Sequence, residues 1–208
     1  MSLLASQPDF EPATPEEGAT ALYYNPDMPD GVTGYRLYPM FQMRIDQLKG
    51  RLQPNNQKVA IWGCAFGYLV QLAVGAGYDA HGFDASAYAV QRASQILPAN
   101  IASRIHLRSA LVAADVTASR ADAGLSGNQR FALLLTEDML TCMSDAEINT
   151  CLPLLRASSQ ANLGHMVTTI EEAGTGRDAR INWKTVAQWK ALLSPPDQVI
   201  SGTYGTVL

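Results

Sequence analysis

The sequence predicts an α/β fold of the doubly wound type, a mostly parallel sheet with helices on both faces. Three observations point there. Short apolar runs alternate with longer segments of helical period, the rhythm of right-handed strand–helix–strand units. One run, Val59-Ala60-Ile61-Trp62, stops at a turn with small residues at every second position, Gly63, Ala65 and Gly67. A second run, His81-Gly82-Phe83, ends in a carboxylate, Asp84, seventeen residues after that turn. A small-residue turn followed by an acid at that distance is how such sheets hold a nucleoside cofactor.

The elements follow in order. Residues 1–34 read as an N-terminal extension. Its first twenty residues are rich in Pro, Glu, Ala and Thr with little periodicity, and Tyr23-Tyr24-Asn25-Pro26-Asp27 and Pro29-Asp30-Gly31 are rich in turn signals. Residues 35–208 read as one domain. From about Tyr38 to Leu52, Met40, Phe41, Met43, Ile45 and Leu48 recur at three- and four-residue spacing, which predicts an amphipathic helix closed near Gly50 and by Pro54. Val59 to Trp62 is a strand buried on both faces. Tyr68 to Val74 is a helix ended by Gly75-Ala76-Gly77, since glycine accepts the left-handed cap conformation. Ala80 to Phe83 is the second strand. Ser86 caps a helix through Leu97 with Val90, Ala93 and Leu97 on one face and Pro98 as terminator. Arg104 to Arg108 is a short third strand, and residues 111–130 hold a helix plus loop. Phe131 to Leu135 is a fourth strand. Ser144 and Glu147 form a capping box for a helix to about Arg156, with Pro153 kinking its last turn. His165 to Ile170 is a fifth strand, Thr185 to Leu193 a helix stopped by Pro195-Pro196, and Gln198 to Leu208 leaves room for one or two closing strands.

Composition narrows the function classes. The chain has 208 residues, 47% of them apolar, enough for a substantial core in one domain. A net charge of −4 argues against nucleic acid as the main partner, because phosphate binding needs a basic face. Arg44, Lys49, Arg51 and Lys58 are close in sequence, but they read as a solvated helix face. Cys64, Cys142 and Cys151 are too few for a disulfide framework, and His81, His106 and His165 show no metal-ligand spacing, so no metal is expected. The first ten residues lack the pattern of a signal peptide, and no run of about 18 apolar residues predicts a membrane span. A soluble cytoplasmic protein with no membrane partner is the expectation; a homo-oligomer stays open.

The turn separates two cofactor classes. A dinucleotide fingerprint, Gly-x-Gly-x-x-Gly, needs a small residue at its sixth position. Counted from Gly63, that residue is Tyr68. The observed Gly63-x-Ala65-x-Gly67, preceded by an apolar strand, resembles the first motif of the class I S-adenosylmethionine-dependent methyltransferases. The run Gly77 to Ser86 is similar to the family's second strand, acid and helix cap, and Arg130 to Leu140 to its fourth strand and following loop. The resemblance covers roughly residues 55–171. It implies a Rossmann-like sheet with a shortened C-terminal strand pair, and S-adenosyl-L-methionine as cofactor. It also implies cofactor contacts from Gly63, Cys64, Ala65 and Gly67 in the turn, from Asp84 and Ala85 at the ribose, from Ala110 and Leu111 at the adenine, and from Thr136. Tyr23, Tyr24 and Tyr35 form a candidate aromatic lid, with Tyr24 counted as a cofactor contact. Three departures stand out. Ile61 replaces the family's first-strand acid, which often holds the cofactor's ammonium. Ala65 replaces the middle glycine. No acid follows the third strand directly, Asp115 and Asp122 being the later alternatives.

Methyl transfer needs a positioned acceptor and a route for its proton. Glu137 and Asp138, after the fourth strand, are the candidate catalytic carboxylates, as general base or orienting group. The segment has no Asp/Asn-Pro-Pro-aromatic run and no Pro-Cys, which the resemblance associates with methylation of DNA bases. Cys142 and Cys151 read as packing residues, and Trp183 and Trp189 as anchors of the last helix. The expected function is methyl transfer to a small molecule or a protein group. The alternative is a catalytically silent relative that binds the cofactor or serves as an interaction protein. A nicotinamide enzyme is disfavoured by Tyr68.

Overall fold

The computed structural model describes residues 40–160, 163–167, 182, 184–193 and 198–201. The expected N-terminal extension, the tyrosines of the lid, Trp183, Pro195-Pro196 and the last residues of the predicted fifth strand lie outside the described residues. In chain order the elements are α1 (Met40–Arg51), β1 (Lys58–Trp62), α2 (Tyr68–Gly75), β2 (Asp79–Asp84), α3 (Ala87–Ile96), the one-turn α4 (Ala99–Ala102), β3 (Ile105–Leu107), α5 (Ala113–Asp122), β4 (Leu133–Glu137), α6 (Asp145–Ser158), β5 (Leu163–Val167), α7 (Val186–Leu193) and β6 (Gln198–Ser201).

Among the described residues six strands form one sheet in the order β3-β2-β1-β4-β5-β6, and each of their pairings is parallel. This is the doubly wound, Rossmann-like arrangement the sequence predicts. The order reverses between β1 and β4, the switch point beside which such sheets bind ligands. β6 runs beside β5; the second member of the predicted strand pair falls outside the described residues.

Strand alternation explains the layers. Successive side chains of a strand point to opposite faces. Val59 and Ile61 of β1 and Leu133 and Leu135 of β4 join one core with Phe41, Ile45 and Leu48 of α1, Leu69 and Val70 of α2, and Ala89 and Ala93 of α3. Ala60, Trp62 and Leu134 join the other, with Val116 of α5, Ile148 and Leu152 of α6, and Trp189 of α7. Because both faces are covered, the central strands read as continuous apolar runs.

Local signals set most boundaries. The Ser86 hydroxyl accepts from Ala89 N–H at 3.1 Å and opens α3. Ser144 and Glu147 complete their capping box at the start of α6, which runs past Pro153 to Ser158 rather than closing near Arg156. The ambiguous 111–130 segment contains α5, with Asp115 in its first turn, where an acid suits the helix dipole. β4 is displaced from the expected 131–135. Phe131 makes only an isolated bridge to Ser159, and the ladder instead carries Thr136 and Glu137, paired to β5 opposite His165 and Met166.

A polar cluster sits across β2 and β3. Asp79 is paired with Lys58 and Arg104, and its carboxylate lies 3.3 Å from His81 Nε2. His81 Nδ1 is 3.3 Å from His106 Nε2, and the two rings stack. Burial pushes the His81 imidazole down to about 4; Asp79 opposes this, while Arg104, His106 and Lys58 reinforce it. Burial also lowers His106, against the pull of Asp122. Burial works against ionisation of Asp79 too, but the hydrogen bonds from Lys58 and Arg104 outweigh it and hold its pKa below the ordinary value. Between pH 6.5 and about 4 the unfolded chain protonates His81 while the folded chain keeps it neutral, so stability falls as pH falls through that window. The slope from one such proton is at most about 1.4 kcal/mol per pH unit. Urea unfolding at pH 7.5, 5.5 and 4.5 is expected to show this loss, and His81→Gln to flatten it. That comparison separates the imidazole from Asp84, whose raised pKa acts in the opposite direction. Equal slopes in the two proteins would contradict the assignment.

Candidate functional site

The turn after β1 is built on three left-handed residues, Gly63 (φ 72°), Ala65 (φ 48°) and Gly67 (φ 78°). The two glycines are required by the protein itself. A Cβ on Gly63 would stand 2.7 Å from Met139 Cβ and 3.0 Å from the Glu137 carbonyl oxygen; one on Gly67 would stand 2.7 Å from Ile105 Cδ1. Ala65 keeps a methyl in a conformation that costs a non-glycine residue about 1–2 kcal/mol. The turn is laid against the end of β2 by N–H groups of Gly63 and Cys64, both directed at the Phe83 carbonyl, at 2.8 and 3.4 Å.

Asp84 closes this arrangement. Its Oδ2 accepts the Ala65 N–H at 2.8 Å, and its Oδ1 accepts the Ser86 N–H at 2.8 Å. The carboxyl is buried, and burial raises its pKa against the pull of the two hydrogen bonds. An ionised carboxylate offers about four lone-pair sites, so each oxygen retains capacity for one further donor. Ala85 beside it is exposed. Gly67 is the N-cap of α2 and supplies no side-chain cap, so the first N–H groups of α2 present partial positive charge at the same end of the sheet.

Cys64 does not offer its thiol to the cleft. It is fully buried, and its pKa is pushed well up by burial and then by the charges of Asp84 and Glu137. Its Sγ would lie 2.7 Å from a Cβ on Gly82, which explains that glycine in the middle of β2. Any ligand contact from Cys64 would therefore come from its main chain.

After β3, Ala110 is buried and Leu111 half-buried. Of the later acids, Asp122 is engaged by both Arg108 Nε and Nη2, at 2.9 and 3.1 Å. Asp115 accepts the Ser109 N–H at 2.9 Å, so its carboxylate is brought back to the 109–111 loop.

The end of β4 supplies the remaining residues. Thr136 is fully buried with its hydroxyl 3.0 Å from His165 Nδ1 on β5. Glu137 is buried and forms an ion pair with Arg44 of α1, Nη1 to Oε1 3.6 Å, with side chains 6% and 3% exposed. The guanidinium also lies over the Phe41 ring. Arg44 is thus not part of a solvated face, as its basic neighbours had suggested. Asp138 is half-buried with φ 49°, and Thr141 Oγ1 donates to its main-chain carbonyl at 2.5 Å, with the Asp138 Oδ1 2.9 Å away. The loop that follows is braced by Asn182, which donates from its side chain to the Met143 carbonyl at 3.0 Å and to Asp145 at 2.8 Å.

Gly63, Cys64, Ala65, Gly67, Asp84, Ala85, Thr136, Glu137 and Asp138 therefore gather at the C-terminal ends of β1, β2 and β4, with Ala110 and Leu111 following β3. Tyr24 lies outside the described residues. Sequence reasoning missed Arg44 and His165. Arg44 carried a signal, because Phe41, Arg44, Ile45 and Leu48 share one helical face; His165 is recognised only through its register with Thr136. Among the described residues no group of three or more His, Cys, Asp or Glu is placed to hold a metal ion, and no helix is long and apolar enough to cross a membrane.

No protein-family profile matches the sequence, and no curated protein matches it. Solved structures similar to this chain include a glycopeptide N-methyltransferase, MtfA, complexed with S-adenosyl-L-homocysteine, at 11% identity over 61% of this chain and 51% of that one, TM-score 0.46. A TehB-like SAM-dependent methyltransferase from Corynebacterium glutamicum is similar at 16% identity over 62% and 60%, TM-score 0.44. The amino pentose methyltransferase CalS10 from Micromonospora echinaspora, with SAM bound, is similar at 12% identity over 61% and 48%, TM-score 0.44. The chain spans about half to three fifths of the length of these solved structures.

Proposed function

We propose that this chain is an S-adenosylmethionine-dependent methyltransferase acting on a small molecule or a protein group. One observation carries the reading: at the switch point Asp84 is locked by the Ala65 N–H, so that the acid, the small-residue turn and the uncapped start of α2 form one unit. The residues present fit the cofactor. Asp84 has acceptor capacity for two ribose hydroxyls, the start of α2 suits a carboxylate, and the Cys64 and Ala65 backbone faces the same end of the sheet. Ala110 and Leu111 are the candidate walls for the adenine. When bound, the cofactor supplies a methyl group on a sulfonium.

The chain's own residues orient the acceptor and take its proton. Asp138 is the better candidate base: it is half-buried on the loop after β4, with its Oδ1 2.9 Å from the Thr141 hydroxyl. Glu137 lies deeper, against Arg44. The silent alternative is supported by Ile61, an apolar residue where the resemblance implies an acid. Calorimetry with S-adenosylmethionine and S-adenosylhomocysteine tests the reading. One-to-one, saturable binding of both is expected. Binding of neither would overturn it; binding followed by methyl transfer to any acceptor would exclude the silent alternative.

A further inference from the structure

β1 has no carboxylate to offer an ammonium group, because Ile61 is fully buried in the α1–α2 core. The neighbouring strand has one. Ile61 of β1 stands opposite Leu135 of β4. Glu137, two residues further along β4, is on the same face of the sheet and one strand repeat nearer the turn. Its carbonyl oxygen closes against Gly63, and its charge, together with that of Asp84, is felt at Cys64 within the turn. One strand away, the residue that closes against the turn thus carries a carboxylate, on the sheet face where β1 has Ile61.

The pairing with Arg44 sharpens the point. Arg44 and Glu137 meet at 3.6 Å, longer than the 2.7–2.9 Å of a closed charge-assisted hydrogen bond. Buried pairs of this kind are weak sources of stability, because desolvating each ion costs several kcal/mol. The α1 face that carries Arg44 also carries the core residues Phe41, Ile45 and Leu48, and replacing a buried ion pair by well-packed hydrophobic side chains is often neutral or stabilising. A charge pair kept beside a ligand-binding turn is placed to recognise charge.

We propose that Glu137 does the work of the missing first-strand acid: it accepts the ammonium of the amino-acid end of the cofactor, and Arg44 is the positioning residue that holds its carboxylate toward the turn. This rests on the cofactor reading above. It assigns Glu137 to binding and leaves proton removal to Asp138.

The test is a comparison of two ligands by calorimetry: S-adenosylhomocysteine, and its analogue with hydrogen in place of the α-amino group. An ammonium–carboxylate contact discriminates by about ten- to a hundredfold, so the wild-type protein is expected to prefer the amino ligand by that factor. Glu137→Gln is expected to bring the preference close to one while leaving affinity for the deaminated analogue within about threefold. Removing one member of a buried pair leaves the other uncompensated. The double variant Arg44→Met/Glu137→Gln therefore serves if the single one fails to fold, with the same loss of preference expected. Arg44→Lys, which keeps the charge but not the fork, is expected to retain part of the preference. Discrimination that persists in a folded Glu137→Gln or double variant would overturn the role of Glu137. Wild-type protein that binds neither ligand would instead overturn the methyltransferase reading itself.

Discussion

Asp84→Ala is expected to reduce affinity for S-adenosylhomocysteine by at least about a hundredfold, and to destabilise the protein at the same time. On the proposed reading, the binding loss follows from removing the acceptor of two ribose hydroxyls, each charge-assisted hydrogen bond being worth about 1.5–3 kcal/mol. The stability loss follows from the Ala65 and Ser86 N–H groups, which donate to the two carboxylate oxygens at 2.8 Å each. A buried donor left without its acceptor costs about 1–3 kcal/mol. Relief of a buried carboxylate, whose raised pKa records the burden of burial, offsets part of this. A net loss of about 2–4 kcal/mol results. Asp84→Asn keeps one acceptor oxygen and turns an NH2 toward the second backbone N–H, so it is expected to fall between the two on both axes. Calorimetry and urea unfolding on the three proteins measure the two effects separately. Affinity unchanged in Asp84→Ala would remove Asp84 from the ribose; stability unchanged would mean that the turn finds other acceptors.

The same hydrogen bond explains how the turn tolerates a residue other than glycine at its centre. Ala65 is left-handed at φ 48°, and its N–H is the one that Asp84 Oδ2 accepts. The strain at Ala65 is of the same order as the hydrogen bond that opposes it. Asp84 thus shapes the turn, and on the proposed reading the same hydrogen bonds keep its carboxylate ordered to meet the ligand. Backbone strain held by surrounding contacts is a recurrent feature of ligand clamps.

Much of this architecture was legible because the sheet is buried on both faces. β1 shows as a short apolar run and β2 as a strand-like run ending in an acid, and the Ser86 cap and Ser144–Glu147 capping box mark helix starts within one residue. The end of β4 was not legible. Thr136 and Glu137 are polar, and only pairing with His165 and Met166 on β5 shows that the ladder continues through them. Arg44 misled for a different reason: its charge suggested solvent, while its position in the Phe41–Ile45–Leu48 stripe placed it in the core. The His81–His106 contact has no local pattern at all. It joins residues 25 apart, and it exists because β2 and β3 pair with Phe83 opposite His106. Local signals thus report what a residue does within its own element. Long-range ion pairs and polar contacts, the parts nearest the chemistry, depend on register between elements.

Gly63→Ala is expected to be the most damaging small change to the scaffold, by about 2–5 kcal/mol, the sum of a left-handed methyl and an overpacked contact. The geometry gives little room for relief. At φ 72° the added Cβ meets Met139 Cβ at 2.7 Å and the Glu137 carbonyl at 3.0 Å, and neither is the loose end of a flexible side chain. To accommodate it, the end of β4 would have to move away from β1, carrying Glu137 and Asp138 with it, so ligand affinity is expected to fall with stability. Gly50→Ala is the matched control. That glycine lies in α1, and a methyl added there would meet no atom within 4 Å. The better helix propensity of alanine is expected to leave stability unchanged or raise it by up to about 1 kcal/mol. Unfolding free energies from urea titration should therefore move in opposite directions for the two variants or differ by several kcal/mol. A Gly63→Ala protein as stable as Gly50→Ala would show that the first turn does not pack against β4 as described, and with it would go the shared wall that brings Glu137 to the turn.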